Sequence, residues 1–350
     1  MKNKIKIGII ACGKIAQIRH IPEYYDNPNC ELTGYYDLVR SHAEEMAVKY
    51  GGKVFDTAEE LFADPDIDAV SICAANHVHA ELTIKALKAG KHVLCEKPMA
   101  ISLAGCEEMV KVANEQGKYL MIDQNQRLAE AHQLAKQMIA SGEIGRVITF
   151  HTTFGHGGPE TWSITPGNNT WFFDKTKAVM GAMADLGIHK TDLIQFLLGE
   201  NIIRTTAKLC TLDKRGADGN LIGVDDNAIC IYEMKSGIVG TMTASWTYYA
   251  AEDNSTVIYG TEGELHIYDD PNHSIILKKK NGDVEYFDVE QIQTNDNQTK
   301  SGVVDAWIEC LTEGRNPEIS GESVLAAMRA VFASIKSNEI GMSVEIPENK

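Results

Sequence analysis

From Lys4 to about Ile122 the chain alternates short β-rich runs with amphipathic stretches, and no other feature limits its fold so tightly. The strand candidates are KIKIGII (4–10), ELTGYY (31–36), DAVSIC (68–73), KHVLC (91–95) and KYLMI (118–122). Between them lie KIAQIRHIPEYY, SHAEEMAVKYG, TAEELFA, VHAELTIKALKAG and SLAGCEEMVKVANEQG. Ser102 suits a helix N-cap, and Gly90 and Gly117 fall where helices stop. Strands alternating with helices read as right-handed βαβ crossovers on a parallel sheet.

After Gln126 the pattern changes. One helix (127–142) leads into strand-like runs separated at hairpin spacing: 146–154, 202–212, 228–234, 237–248, 255–260, 264–269 and 274–279. A strong helical segment, AVMGAMADLGIHKTDLIQFLLG (178–199), interrupts them, and helices over 303–313 and 321–337 close the chain. This predicts an α+β domain with a large, mostly antiparallel open sheet. At 350 residues the chain exceeds what one core usually holds. Two domains are expected, 1–123 for a nucleotide and 124–350 for substrate binding and oligomerisation. Apolar alternation in GIVGTMTASWTY and STVIYG leaves a sheet face for another copy, so a homodimer or homotetramer through that sheet is expected.

The formal charge of −16 opposes binding to phosphate backbones or anionic membranes. No basic-then-apolar leader opens the sequence and no apolar run spans a bilayer, which predicts a cytoplasmic protein. Eight scattered cysteines without a C-x-x-C pair fit buried free thiols rather than disulfides or zinc. His151 and His156 near Gly155, Gly157 and Gly158 match no ligand spacing, so a glycine-rich loop and no metal site are expected.

The first strand ends in Ala11-Cys12-Gly13-Lys14-Ile15-Ala16 and runs into a helix. Set against the G-x-G-x-x-G/A dinucleotide fingerprint, Gly13 and Ala16 hold the second and third positions, and Ala11 replaces the first glycine. Such a turn lets a pyrophosphate rest on free N–H groups at the helix start, around Ala11, Gly13, Lys14 and Ile15. Asp37, at the end of the second strand, stands where an acid binds the ribose hydroxyls and repels a 2′-phosphate, so a Rossmann domain that prefers NAD is expected. Arg40 is the residue that would admit NADP.

Three ordered blocks carry a resemblance. Glu96-Lys97-Pro98 follows the fourth strand candidate, Ala74-Ala75-Asn76-His77-Val78-His79 follows the third, and Asp185-Leu186-Gly187-Ile188-His189-Lys190-Thr191-Asp192 lies in the helical segment. They resemble the E-K-P, T-P-N-x-x-H and D-x-G-x-H-x-x-D motifs of the Gfo/Idh/MocA oxidoreductases (glucose–fructose oxidoreductase / inositol dehydrogenase), with Thr-Pro replaced by Ala74-Ala75 and a preceding glycine run reduced to Gly181. Residues 314–337 are similar to the family's closing helix. The resemblance implies an NAD(P)-dependent dehydrogenase acting on a secondary alcohol of a sugar, polyol or related polyhydroxy compound. Lys97, Asp185 and His189 are then catalytic, and Ala74, Asn76, His79, Glu96 and Lys97 join the cofactor set. The resemblance also implies a cis Lys97–Pro98 peptide.

On a helix Asp185 and His189 share a face at i and i+4, with Asp192 close to it; the alternative is a satisfied core histidine. Histidine is the residue type whose unperturbed pKa lies nearest neutrality, which makes His189 the expected general base, and Lys97 would stabilise a developing alkoxide. Arg127, Trp162 and Trp171 are further substrate candidates; Trp246 could also stack on a sugar ring, but such residues are more often core or interface, and Trp162 and Trp171 rank ahead because WSITPGNNTWFF reads as a loop. Two other functions in the family compete: glycoside cleavage through transient oxidation by NAD, and a non-enzymatic NAD sensor. Retention of Lys97, Asp185 and His189 argues against the sensor.

Overall fold

The computed structural model describes residues 4–162, 164, 166–289 and 301–347. They fall into two compact units. The first holds the described residues up to 125, residues 162 and 164, and 301–325; the second holds the others up to 347. The division thus has more crossings than the single boundary expected at 123/124: the helix Val303–Glu313 groups with the first unit.

In the first unit six strands form a parallel sheet in the order β3-β2-β1-β4-β5-β6. They are β1 (Ile5–Ile10), β2 (Cys30–Tyr36), β3 (Lys53–Val54), β4 (Ala69–Ile72), β5 (His92–Cys95) and β6 (Leu120–Ile122). The chain is helical from Lys14 through a π-turn, Ala16–His20, into α1 (Ile21–Asp26). The helices α2 (Arg40–Tyr50), α3 (Ala58–Ala63), α4 (His79–Lys88) and α5 (Leu103–Gln116) complete the crossovers. Strands covered on both faces need continuous apolar runs: Ile7, Ile9, Ile10, Val70 and Ile72 are all essentially inaccessible. Packing is close enough that a Cβ on Gly34 would stand 2.5 Å from the Phe55 ring. Ser102 caps α5 by accepting the Gly105 N–H at 3.1 Å, and Gly117 ends it in the left-handed conformation. Strand order reverses between β1 and β4, the position where open α/β sheets bind ligands beyond their C-terminal strand ends.

In the second unit α6 (Glu130–Ser141) precedes a nine-stranded sheet. Its strands are β7 (Val147–Gly155), β8 (Ile202–Cys210), β9 (Asn227–Met234), β10 (Val239–Ser245), β11 (Thr256–Gly260), β12 (Gly263–Ile267), β13 (Ile275–Lys279), β14 (Val284–Phe287) and β15 (Val344–Glu345). The order is β14-β13-β12-β11-β7-β10-β9-β8-β15, antiparallel except for the β7–β10 pair. One face is core: Ala228, Cys230, Tyr232 and Met234 of β9 are inaccessible, while the intervening Ile229 and Ile231 are about half exposed.

The helix expected over 178–199 begins later, as a π-turn, Met183–Gly187, leading into α7 (Ile188–Leu198). Asp225 causes this. Its carboxylate accepts the N–H groups of Gly181 and Met183, each at 2.8 Å, and its carbonyl accepts that of Ala182. Residues 181–183 are thereby tied to a segment 44 residues away instead of continuing a helix backwards. All eight cysteines are free, and all but the partly exposed Cys210 are buried, as expected.

Candidate active site

The turn after β1 keeps the fingerprint's geometry without its first glycine. Ala11 stands at φ 67°, a left-handed conformation that costs a residue with a Cβ roughly 1–2 kcal/mol. It is held there by an Ala11 N–H bond to the Tyr36 carbonyl at 2.8 Å. A Cβ on Gly13 would meet nothing within 4 Å, so the space beside that backbone is open, as close approach of a pyrophosphate requires. Lys14 and Ile15 form the first turn of the helix that follows.

Asp37 organises this turn. Its Oδ2 accepts the Cys12 N–H and its Oδ1 the Val39 N–H, both at 2.7 Å. A carboxylate has about four acceptor positions, so capacity remains for ribose hydroxyls. Arg40 is exposed and paired with Glu44 at 2.8 Å and with Asp56. The residues present therefore fit a dinucleotide.

The Lys97–Pro98 peptide is cis, as expected. From Val93 to Ala100 every residue is buried except Lys97. Two residues expected to touch the cofactor are engaged elsewhere. His79 has Nδ1 2.8 Å from the Pro98 carbonyl and Nε2 2.8 Å from the Ala74 carbonyl. Both ring nitrogens thus face main chain, and the ring braces the Ala74 loop, with buried Asn76, against the Lys97 turn. Burial lowers the His79 pKa, against the pull of the two carbonyls. Glu96 is also buried; its Oε1 lies 3.1 Å from His20 Nε2, and its Oε2 accepts the Lys97 N–H at 3.0 Å.

In the second unit the π-turn carries Asp185 and α7 carries His189. Trp246 Nε1 donates to Asp185 Oδ2 at 3.0 Å, and His156 Nε2 is 3.9 Å from the same oxygen. The Gly158 N–H donates to His156 Nδ1 at 2.9 Å, which leaves Nε2 to carry the proton toward Asp185. The Phe154 ring lies 6.0 Å from both the His156 and the His189 rings. Trp246, ranked behind the other tryptophans from the sequence, and His156, read as part of a glycine-rich loop, thus belong with Asp185. The pattern gave no signal for either, since they reach it from separate strands' ends.

Asp192 is not a third member. Arg127 binds it through Nε at 2.6 Å and Nη2 at 2.5 Å, with both residues buried. The guanidinium expected for substrate is thereby a two-pronged internal partner of α7. Lys190 is also fully buried, donating to the Asn254 carbonyl at 2.8 Å, and burial brings its pKa down to about 7. Trp171 stacks on Phe172 with centroids 3.9 Å apart, and Phe172 meets Trp246 edge-on at 6.4 Å. Trp162 groups with the first unit, Trp171 with the second.

Among the described residues, one group of His, Cys, Asp and Glu donors is close enough to hold an ion: His20, Glu96 and Asp123. The imidazole already bridges the two carboxylates, so the cluster is self-paired. No helix among the described residues is long and apolar enough to cross a membrane.

Residues 5–124 match the oxidoreductase family described by its NAD-binding Rossmann fold, and residues 132–266 match the GFO/IDH/MocA C-terminal domain. The 1,5-anhydro-D-fructose reductase of Ensifer adhaerens is 29% identical over 84% of each chain. The myo-inositol 2-dehydrogenase of Thermotoga maritima is 26% identical over 98% of this chain and 99% of its own. An NAD-binding oxidoreductase from Klebsiella pneumoniae has a solved structure that superposes with a TM-score of 0.84 at 27% identity, covering 99% of this chain and all of that one. Fold, turn and matches together define an oxidoreductase with an NAD-binding Rossmann domain. The chain belongs to the Gfo/Idh/MocA family.

Proposed function

We propose that this protein is an NAD-dependent dehydrogenase that oxidises a secondary alcohol of a sugar, polyol or related polyhydroxy compound. One observation carries the reading most: Asp185, four residues before His189, is held by Trp246 and faces His156, while Phe154 lies 6.0 Å from the rings of both histidines. Carboxylates and imidazoles against aromatic faces suit a compound that presents several hydroxyls on an apolar ring. The dehydrogenase and reductase names of its relatives point to the same chemistry.

Bound NAD supplies the hydride acceptor. The chain's own residues supply the rest. His189 takes the hydroxyl proton as general base and returns it in the reverse direction. The Lys97 ammonium stabilises the developing alkoxide. Asp185 accepts a hydrogen bond from a neighbouring hydroxyl and fixes which carbon is presented. Trp171 supplies an apolar face. NAD is preferred to NADP because Asp37 repels a 2′-phosphate and Arg40 is already paired.

The protein acts in the cytoplasm as a homo-oligomer through the outward face of the nine-stranded sheet, where Ile229, Ile231 and Val239 stand about half exposed. The nucleotide and substrate roles divide near residue 123. A panel of sugars and polyols offered with NAD, followed by NADH absorbance and product mass, tests the reaction. NADH formed in step with a product two mass units lighter, about the mass of the hydride and proton removed, is expected. Substrate loss without NADH accumulation would contradict net dehydrogenation and favour the elimination route.

A further inference from the structure

Beneath the Lys97 turn lies a buried charged cluster that the mechanism does not use. His20, the last residue of the π-turn, is 1% exposed. Its Nε2 is 3.1 Å from Glu96 Oε1 and 3.3 Å from Asp123 Oδ2. Its Nδ1 lies 3.4 Å from Ser71 Oγ, which also bonds the Tyr24 hydroxyl at 2.7 Å. The imidazole therefore joins the helix of the dinucleotide turn to the ends of β4, β5 and β6. π-turns of this kind are rare and recur at functional sites.

Charge decides what the cluster does. Two carboxylates out of water and close to one nitrogen repel each other unless a proton or a cation is shared between them. A neutral imidazole offers one N–H and no charge; an imidazolium balances one carboxylate. Facing His20 are Ser71 and Cys73 from β4 and the residue after it, Glu96 after β5 and Asp123 after β6. Glu23 and Tyr24 come from its own helix, and Arg19 precedes it. Burial works against the charged ring, but Cys73, Asp123 and Glu96 outweigh it and hold the His20 pKa well above the ordinary value. Against burial, His20 pulls Glu96 down to about 2, while burial and Glu96 raise Asp123.

We propose that His20 is a positioning residue for the reaction: it clasps Glu96 and Asp123, and through the Glu96 bond to the Lys97 N–H it sets where the Lys97 amine stands. The inference rests on the role given to Lys97 above. It assigns to Glu96 a task inside the protein rather than on the cofactor, and it makes the orientation of Lys97 depend on the charge of a side chain from the dinucleotide-binding helix.

Three variants test it: His20→Gln, Asp123→Asn and the double variant. His20→Gln keeps a donor for Glu96 but strands two carboxylates, so kcat is expected to fall about 10–100-fold, the usual cost of losing a supporting hydrogen-bond partner. KM and the Kd for NADH, read by fluorescence, should stay within about 3-fold, because the Gly13 turn is untouched. Adding Asp123→Asn removes the surplus charge and should restore most of kcat. A packing role would show no such rescue, and failure of the double variant to recover would overturn the proposal. Two readouts need no turnover. Side-chain NMR of wild-type protein should show His20 titrating well above an ordinary histidine; titration at an ordinary histidine pKa would overturn the claim. The methyl chemical shift of ¹³C-methylated Lys97, assigned with Lys97→Arg, should move in His20→Gln and return in the double variant. A wild-type protein that turns over nothing on the panel yet passes both NMR tests would sink the dehydrogenase reading alone.

Discussion

At the residue scale the candidate site was half legible. The Asp185–His189 pair and Lys97 stand out because ionisable groups among apolar neighbours need a reason. Their supporters did not, because Trp246 comes from 61 positions away and Asp192 is answered by Arg127 from 65 positions away. Replacing Trp246 by Phe keeps the ring but deletes the donor to Asp185. We expect KM to rise and kcat to fall several-fold at unchanged NADH affinity, checked by steady-state kinetics beside NADH titration. Lys190 gives a pH prediction. Its folded pKa, about 7, lies below the ordinary lysine value, so the unfolded chain binds more protons between the two and this group adds stability as pH rises. Urea midpoints of the wild type should therefore gain on those of Lys190→Met from pH 7 to pH 10. Parallel curves would refute the buried, largely neutral amine.

At the element scale, the parallel sheet was readable because β1 and β4 are buried on both faces and so appear as unbroken apolar runs. The strand β3 was not, since two residues carry no period. The start of the 183–198 helix was missed for a different reason: Asp225 overrides local propensity from across the fold. Gly181 is where this is tested. A Cβ there would fall on the Asp225 carbonyl oxygen, backbone that cannot swing aside. Gly181→Ala should cost about 1–3 kcal/mol, the range for forced overpacking, and should lower activity by displacing Asp185. Thermal unfolding and turnover together check it; an unchanged Tm would show that the 181–183 anchor is dispensable.

At the scale of the whole molecule, the chain falls into two compact units, and the sequence marks the change between them through its change of period near residue 126. The return of the helix Val303–Glu313 to the first unit left no such mark, because its ties are tertiary: Asn27 to Asp305 at 2.8 Å and the Ser301 N–H to Glu23 at 2.7 Å. The open sheet face predicts that Ile231→Glu shifts the protein toward monomer in light scattering without loss of helix or sheet content. An unchanged assembly would remove that face as the interface. The central claim, that Lys97 and His189 do chemistry rather than hold the fold, is tested most directly by the initial rate of NADH formation in folded His189→Asn protein at saturating NAD. The account predicts a fall of about 10²–10⁴-fold, the usual contribution of a general base, with NAD affinity little changed. Near-wild-type turnover by a folded, NAD-binding variant would contradict it.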